Sequence, residues 1–152
     1  MFRVSRLLVA AALALAVATP ASAAGVLAPL FTVPGVINSL SLGTFFACTN
    51  TDVVPLSVGI EVFGQNGTQL VTAASNAVNL SPQSTELFST TNALGFAVDV
   101  NLNPGVVTKG SANVWTTGKR VVCSAFVSDN NNNPPTSMVT LTIVRKGKQK
   151  GD

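Results

Sequence analysis

Pro55-Leu56-Ser57-Val58-Gly59-Ile60-Glu61-Val62-Phe63-Gly64 is the stretch that decides how this chain reads. Leu56, Val58, Ile60 and Val62 fall on one face, and Ser57, Gly59 and Glu61 on the other. That strict period of two predicts a half-buried β-strand, with Glu61 on the polar side as solvated surface. The strand runs into Gln65-Asn66-Gly67-Thr68. An Asn-Gly pair between apolar runs predicts a hairpin, because both central residues of a type I′ turn take positive φ. The returning strand is expected over 69–74.

Outward from this hairpin the same alternation recurs. Phe96, Val98, Val100 and Leu102 share a face over 95–102, and Val121, Cys123, Ala125 and Val127 do so over 120–128. Further strands are expected at 42–49, 85–89, 110–116 and 137–145. Asn103-Pro104-Gly105, Thr117-Gly118-Lys119 and the polar run 130–135 supply the turns. Short strands at this spacing predict an all-β fold, an immunoglobulin-like antiparallel β-sandwich of seven or eight strands over 40–145. Residues 24–39, punctuated by Pro29, Pro34 and Gly35, read as a lead-in holding at most one short strand.

The chain begins with Arg3 and Arg6, an apolar run over 7–18, then Pro20 and Ala21-Ser22-Ala23. This is the pattern of a cleavable signal peptide, 1–23, with cleavage after Ala23. The run is too short for the roughly 20 apolar residues that a membrane span needs. The mature protein is therefore expected to be exported, periplasmic or extracellular, and not membrane-spanning. The whole chain carries a net charge of +3, and loss of Arg3 and Arg6 leaves seven bases against six acids. Four of those bases, Arg145, Lys146, Lys148 and Lys150, cluster at the C-terminus, where 146–152 reads as a basic disordered tail. No basic face spreads over the fold, which excludes a nucleic-acid-binding domain.

Cys48 lies in the first of these strands and Cys123 in the penultimate one, each flanked by inward-pointing neighbours. In an oxidising compartment they are expected to form a disulfide, the alternative being two separately buried thiols. An early cysteine just before Thr49-Asn50-Thr51 and a late one at the end of Arg120-Val121-Val122-Cys123 resemble those of immunoglobulin-type domains. That resemblance implies a bridge between two sheets. Asn79-Leu80-Ser81-Pro82-Gln83-Ser84-Thr85 is similar to the turn of bacterial immunoglobulin-like surface modules of the CARDB kind, with Gln83 where that turn usually has glycine. The stretch from Gly110 to Asp152 also resembles short exported bacterial proteins of unassigned role, which implies no chemistry.

There is no histidine in the chain, so the commonest metal ligand and the commonest general base are both missing. No catalytic, cofactor or metal site is expected. A Ser111–Lys109 pair would need a buried lysine, and Lys109 reads as part of a turn. Glu61, Glu86 and Asp99 are the carboxylates that could pair across a cleft, but each reads as surface. The run Asp129-Asn130-Asn131-Asn132-Asn133 has one carboxylate, too few for calcium, and reads as a flexible hairpin tip. Trp115, the single tryptophan, reads as a core residue, with the alternative that it faces outward and forms a ligand platform together with Phe63 or Phe126. The expected function is a non-catalytic structural, adhesive or protein-binding module whose partner is an envelope protein or polysaccharide, with a carbohydrate-binding module as the alternative.

Overall fold

The computed structural model describes residues 25–147; the expected signal peptide and the end of the basic tail lie outside them. The fold is all-β and almost entirely antiparallel. Eleven strands, rather than seven or eight, occur among the described residues: β1 (Ala28–Ser39), β2 (Leu42–Asn50), β3 (Leu56–Phe63), β4 (Gln69–Val71), β5 (Val78–Leu80), β6 (Thr85–Ser89), β7 (Val100–Asn101), β8 (Val107–Thr116), β9 (Val121–Asp129), β10 (Met138–Thr140) and β11 (Val144–Arg145). A single 3₁₀ turn, Ala73–Ser75, separates β4 from β5. No helix among the described residues is long and apolar enough to cross a membrane.

Hydrogen bonding is continuous in the order β10-β9-β2-β1-β8-β3-β4. The ladder folds at the β1–β2 hairpin, where β1 and β2 pair only at Asn38↔Gly43 and Ser39↔Leu42. One leaf is β11-β1-β8-β3 with β4 and β5 on its edge, and the other is β10-β9-β2-β6-β7. Val33, Val36, Val58, Ile60, Val62, Ala112 and Val114 of the first leaf meet Phe46, Cys48, Phe88, Val121 and Ala125 of the second in one core. Burying each large apolar side chain contributes about 1.5–3 kcal/mol. Leu56, Val58, Ile60 and Val62 all point into this core, as their period of two requires.

The expected lead-in is a correction. Residues 28–39 form β1, which pairs with β8 along most of its length. Its prolines are tolerated because the register with β8 shifts between Pro29 and Phe31 and again between Pro34 and Val36, where the ladder asks for no N–H. Gly35, at φ 85°, supplies the kink. The sandwich therefore starts near Ala28, not at residue 40.

Three other elements differ from expectation. Of 95–102 only Val100–Asn101 is strand, paired parallel to β6. Phe96 instead crosses to the outer side of the second leaf, where Phe45, Phe96 and Phe126 pack with ring centroids 4.8–5.4 Å apart. The last strand divides: β10 pairs with β9, whereas β11 pairs with β1 at Phe31↔Arg145 and Thr32↔Val144. The Asn66-Gly67 turn is longer than a two-residue hairpin. Gly67 alone has positive φ, Asn66 Oδ1 accepts from the Thr68 N–H at 3.1 Å, and Phe63 pairs with Gln69.

Cys48 and Cys123 form a disulfide. They face each other in register on neighbouring strands, with Cα atoms 4.2 Å apart. The bond staples β2 to β9 within one leaf, so the sheet-to-sheet bridge implied by the immunoglobulin-type resemblance is corrected. Stacked leaves lie roughly 10 Å apart, beyond the reach of this pair.

Candidate functional site

The outer face of β3 carries a polar cluster where solvated surface was expected. Glu61 is only 8% exposed. The register sets Glu61 opposite Asn113 and Gly59 opposite Trp115, so Trp115 reaches Glu61 along the diagonal of the pleat. The Trp115 indole Nε1–H and the Asn113 amide each donate to Glu61 Oε2 at 2.9 Å, and the Gln69 amide donates to Oε1. Asn113 Oδ1 in turn accepts from the Thr32 hydroxyl at 2.9 Å. The network spans four strands, and the three donors to the carboxylate itself, from β4 and β8, are all neutral N–H groups.

This face is hidden because the 3₁₀ turn lies over it. Gly59 has no side chain, and a Cβ there would overlap the backbone carbonyl of Ala73. Asn76 fastens the turn: its Oδ1 accepts from the Ile60 N–H at 2.8 Å, and its Nδ2 donates to Ile60 O at 2.7 Å and to Thr72 O at 2.8 Å. β4 pairs with β3 at Val62 and Phe63, and β5 pairs with it at Leu56–Val58. The Asn76 side chain fills the gap at Ile60, standing in for a strand backbone. Between the turn and the sheet is a cavity of about 210 Å³ lined by Leu27, Glu61, Thr72, Ala73, Ala74 and Trp115.

Trp115 is thus neither a core residue nor an open platform. Its strand neighbours Ala112 and Val114 are buried, while its own ring lies half-buried on the outer face with one wall in the cavity. Phe63 shares that face two residues beyond Glu61. Phe126 is on the other leaf, stacked on Phe45, so the three aromatics form no common platform.

The remaining candidates lie apart. Lys109 belongs to β8 rather than a turn and is exposed, without the burial that a lysine base requires. Glu86 has its pKa raised, first by partial burial and then by the charge of Asp99. Asp99 itself is exposed and accepts from the Leu87 N–H at 2.8 Å. Among the described residues no three His, Cys, Asp or Glu side chains gather as a metal site would require.

The 130–137 loop is hydrogen-bonded at its base to Asp129. Asp129 accepts from Asn132 N–H and Nδ2, from Thr136 N–H and Oγ1, and from Ser137 N–H, at 2.6–3.2 Å. Partial burial pushes its pKa up, but those donors outweigh it and hold the carboxyl at about 2. Gly95 and Leu94 close the loop from outside, Leu94 N–H donating to Asn130 O at 3.2 Å. A Cβ on Gly95 would crowd Pro135.

Sequence reasoning passed over the outer edge. β10 pairs with β9 alone, and Met138 and Val139 are 57% and 62% exposed. From Thr136 to Val144 there is no charged residue and no proline. That composition was the signal.

No protein family model, curated protein or solved structure matches the chain. Gln83, at φ 62°, occupies the backbone region that favours glycine.

Proposed function

We propose that the protein is a non-catalytic exported β-sandwich serving as an adhesive or protein-binding module of the bacterial envelope or exterior, and that it takes its partner by strand addition at β10. The observation that carries this is the unguarded edge. A free strand edge offers a row of unpaired N–H and C=O groups, and proteins normally blunt it with lysine, proline or a covering loop. The edge is short, Met138–Thr140, but it and its flanks over 136–144 carry neither charge nor proline, and Met138 and Val139 stand out to solvent. An added strand would bond to that backbone and set successive side chains, on opposite faces, against Met138 and Val139. The disulfide suits an oxidising compartment outside the cytoplasm.

The test is site-specific photo-cross-linking in the producing cell. A probe at position 139 should capture one or a few discrete proteins, whereas a probe at Ser57, on the opposite leaf, should not. With the probe kept at 139, Met138→Lys should abolish the captured bands with the protein still folded. Identical patterns from both positions, or none from 139, would refute strand addition.

A further inference from the structure

We infer that the cavity beneath the 3₁₀ turn is a binding site for an organic ammonium group, seated on the Trp115 ring with the Glu61 carboxylate as its counter-charge. Glu61 is buried, its three hydrogen-bond donors are neutral, and among the described residues no lysine or arginine lines the cavity. The remaining lining, Leu27, Thr72, Ala73 and Ala74, is small and largely apolar. A cation entering this space meets a low-dielectric wall, an aromatic face and one uncompensated negative charge. Aromatic faces attract ammonium groups through the ring quadrupole, and the Trp115 N–H donated to a carboxylate makes that ring more electron-rich.

Size and polarity narrow the ligand. At about 210 Å³ the space is below the roughly 300–1,000 Å³ of drug-sized pockets, so it suits a single headgroup. A sugar would need several convergent donors and acceptors for its hydroxyls. The polar side chains of the cluster are already bonded to one another. Two sources share the required chemistry: a free quaternary ammonium such as choline, and the ammonium of a lysine-bearing peptide.

The single tryptophan gives a clean reporter, because the folded protein has one indole N–H resonance in a nitrogen–proton correlation spectrum. Choline, Nα-acetyl-lysine methylamide, the neutral choline isostere 3,3-dimethylbutan-1-ol and glucose would each be titrated against it. One of the two cations should shift the indole resonance saturably, and the tighter of the two identifies the source. The neutral isostere should bind at least about tenfold more weakly, as expected for loss of a desolvated cation–aromatic attraction. Glu61→Gln keeps an acceptor for the indole but removes the charge, and should weaken cation binding by a similar factor. Should that variant fail to fold, Ala74→Leu serves instead: it fills the mouth of the cavity from an exposed position and should abolish the shift. Equal affinity for the isostere, tighter binding of glucose, or no saturable shift with either cation would overturn the inference.

Discussion

Replacing Asn76 with alanine tests whether a side chain can stand in for a strand. Ile60 is fully buried, and its N–H and C=O both bond to the Asn76 carboxamide rather than to a neighbouring backbone. In Asn76→Ala both groups lose their partner, and the 3₁₀ turn loses its tie at Thr72 O. An unsatisfied buried polar group costs about 1–3 kcal/mol. With two such groups and some entry of water as the turn lifts, the expected loss is about 2–4 kcal/mol. For a domain of this size that lowers the melting temperature by roughly 10 °C. Asn76→Asp separates the donor from the acceptor. It still accepts from the Ile60 N–H but turns a second oxygen toward two carbonyls, so it should melt no higher than the alanine variant. Circular dichroism melts give the stability, and Trp115 fluorescence should shift to the red as the cavity opens. A melting temperature within about 2 °C of the parent, with unchanged emission, would show that the edge of β3 is satisfied by other means.

The Gly59→Ala variant should also expel the 3₁₀ turn, because its methyl meets the Ala73 carbonyl; a loss of about 1–3 kcal/mol with red-shifted Trp115 emission is expected, and an unperturbed spectrum would contradict the close approach. Thiol titration of the unfolded, unreduced protein should read near zero, and a Cys48→Ala/Cys123→Ala variant should remain β-structured in the cold but melt much earlier. The bond closes a loop with a sequence separation of 75, worth about 4–5 kcal/mol on chain-entropy grounds. For Asp129 the folded pKa, at about 2, lies below the ordinary 3.8, so the unfolded chain takes up the proton first. Its stabilising effect is complete above about pH 4 and fades as pH falls toward 2. The parent's melting temperature should therefore drop across that window more steeply than that of Asp129→Asn, and parallel profiles would refute the assignment. Mass spectrometry of exported protein should find Ala24 at the N-terminus, and an intact Met1 would refute export by cleavage after Ala23.

Strands whose two faces differ in polarity were legible from period alone, β3 and β9 above all. β1 was not, because Pro29, Pro34 and Gly35 read as breakers unless the bulges that absorb them are known, and those depend on β8, some 75 residues further along the chain. The strand expected over 95–102 failed for the opposite reason. Its alternation is genuine, but Phe96 finds a better partner in Phe45 and Phe126 than in a ladder. Glu61 was misread because a polar face was equated with water. The hint lay beside it: a glycine inside a strand often marks a close backbone approach, and Gly59 marks the place where the 3₁₀ turn settles. The pairing of Glu61 with Trp115 depends on which strand lies next to which, and no local pattern carries that.

The position of the disulfide has a mechanical consequence. The described ends leave the molecule side by side, with β11 lying against β1, so tension between them first peels β11 away. Unravelling can then proceed from the two ends only as far as positions 48 and 123. The 75-residue span between the cysteines is shielded from the load, and about 250 Å of contour stays locked in while the bond is intact. Held by its two ends, the molecule would be a short tether in oxidising surroundings and a far longer one after reduction.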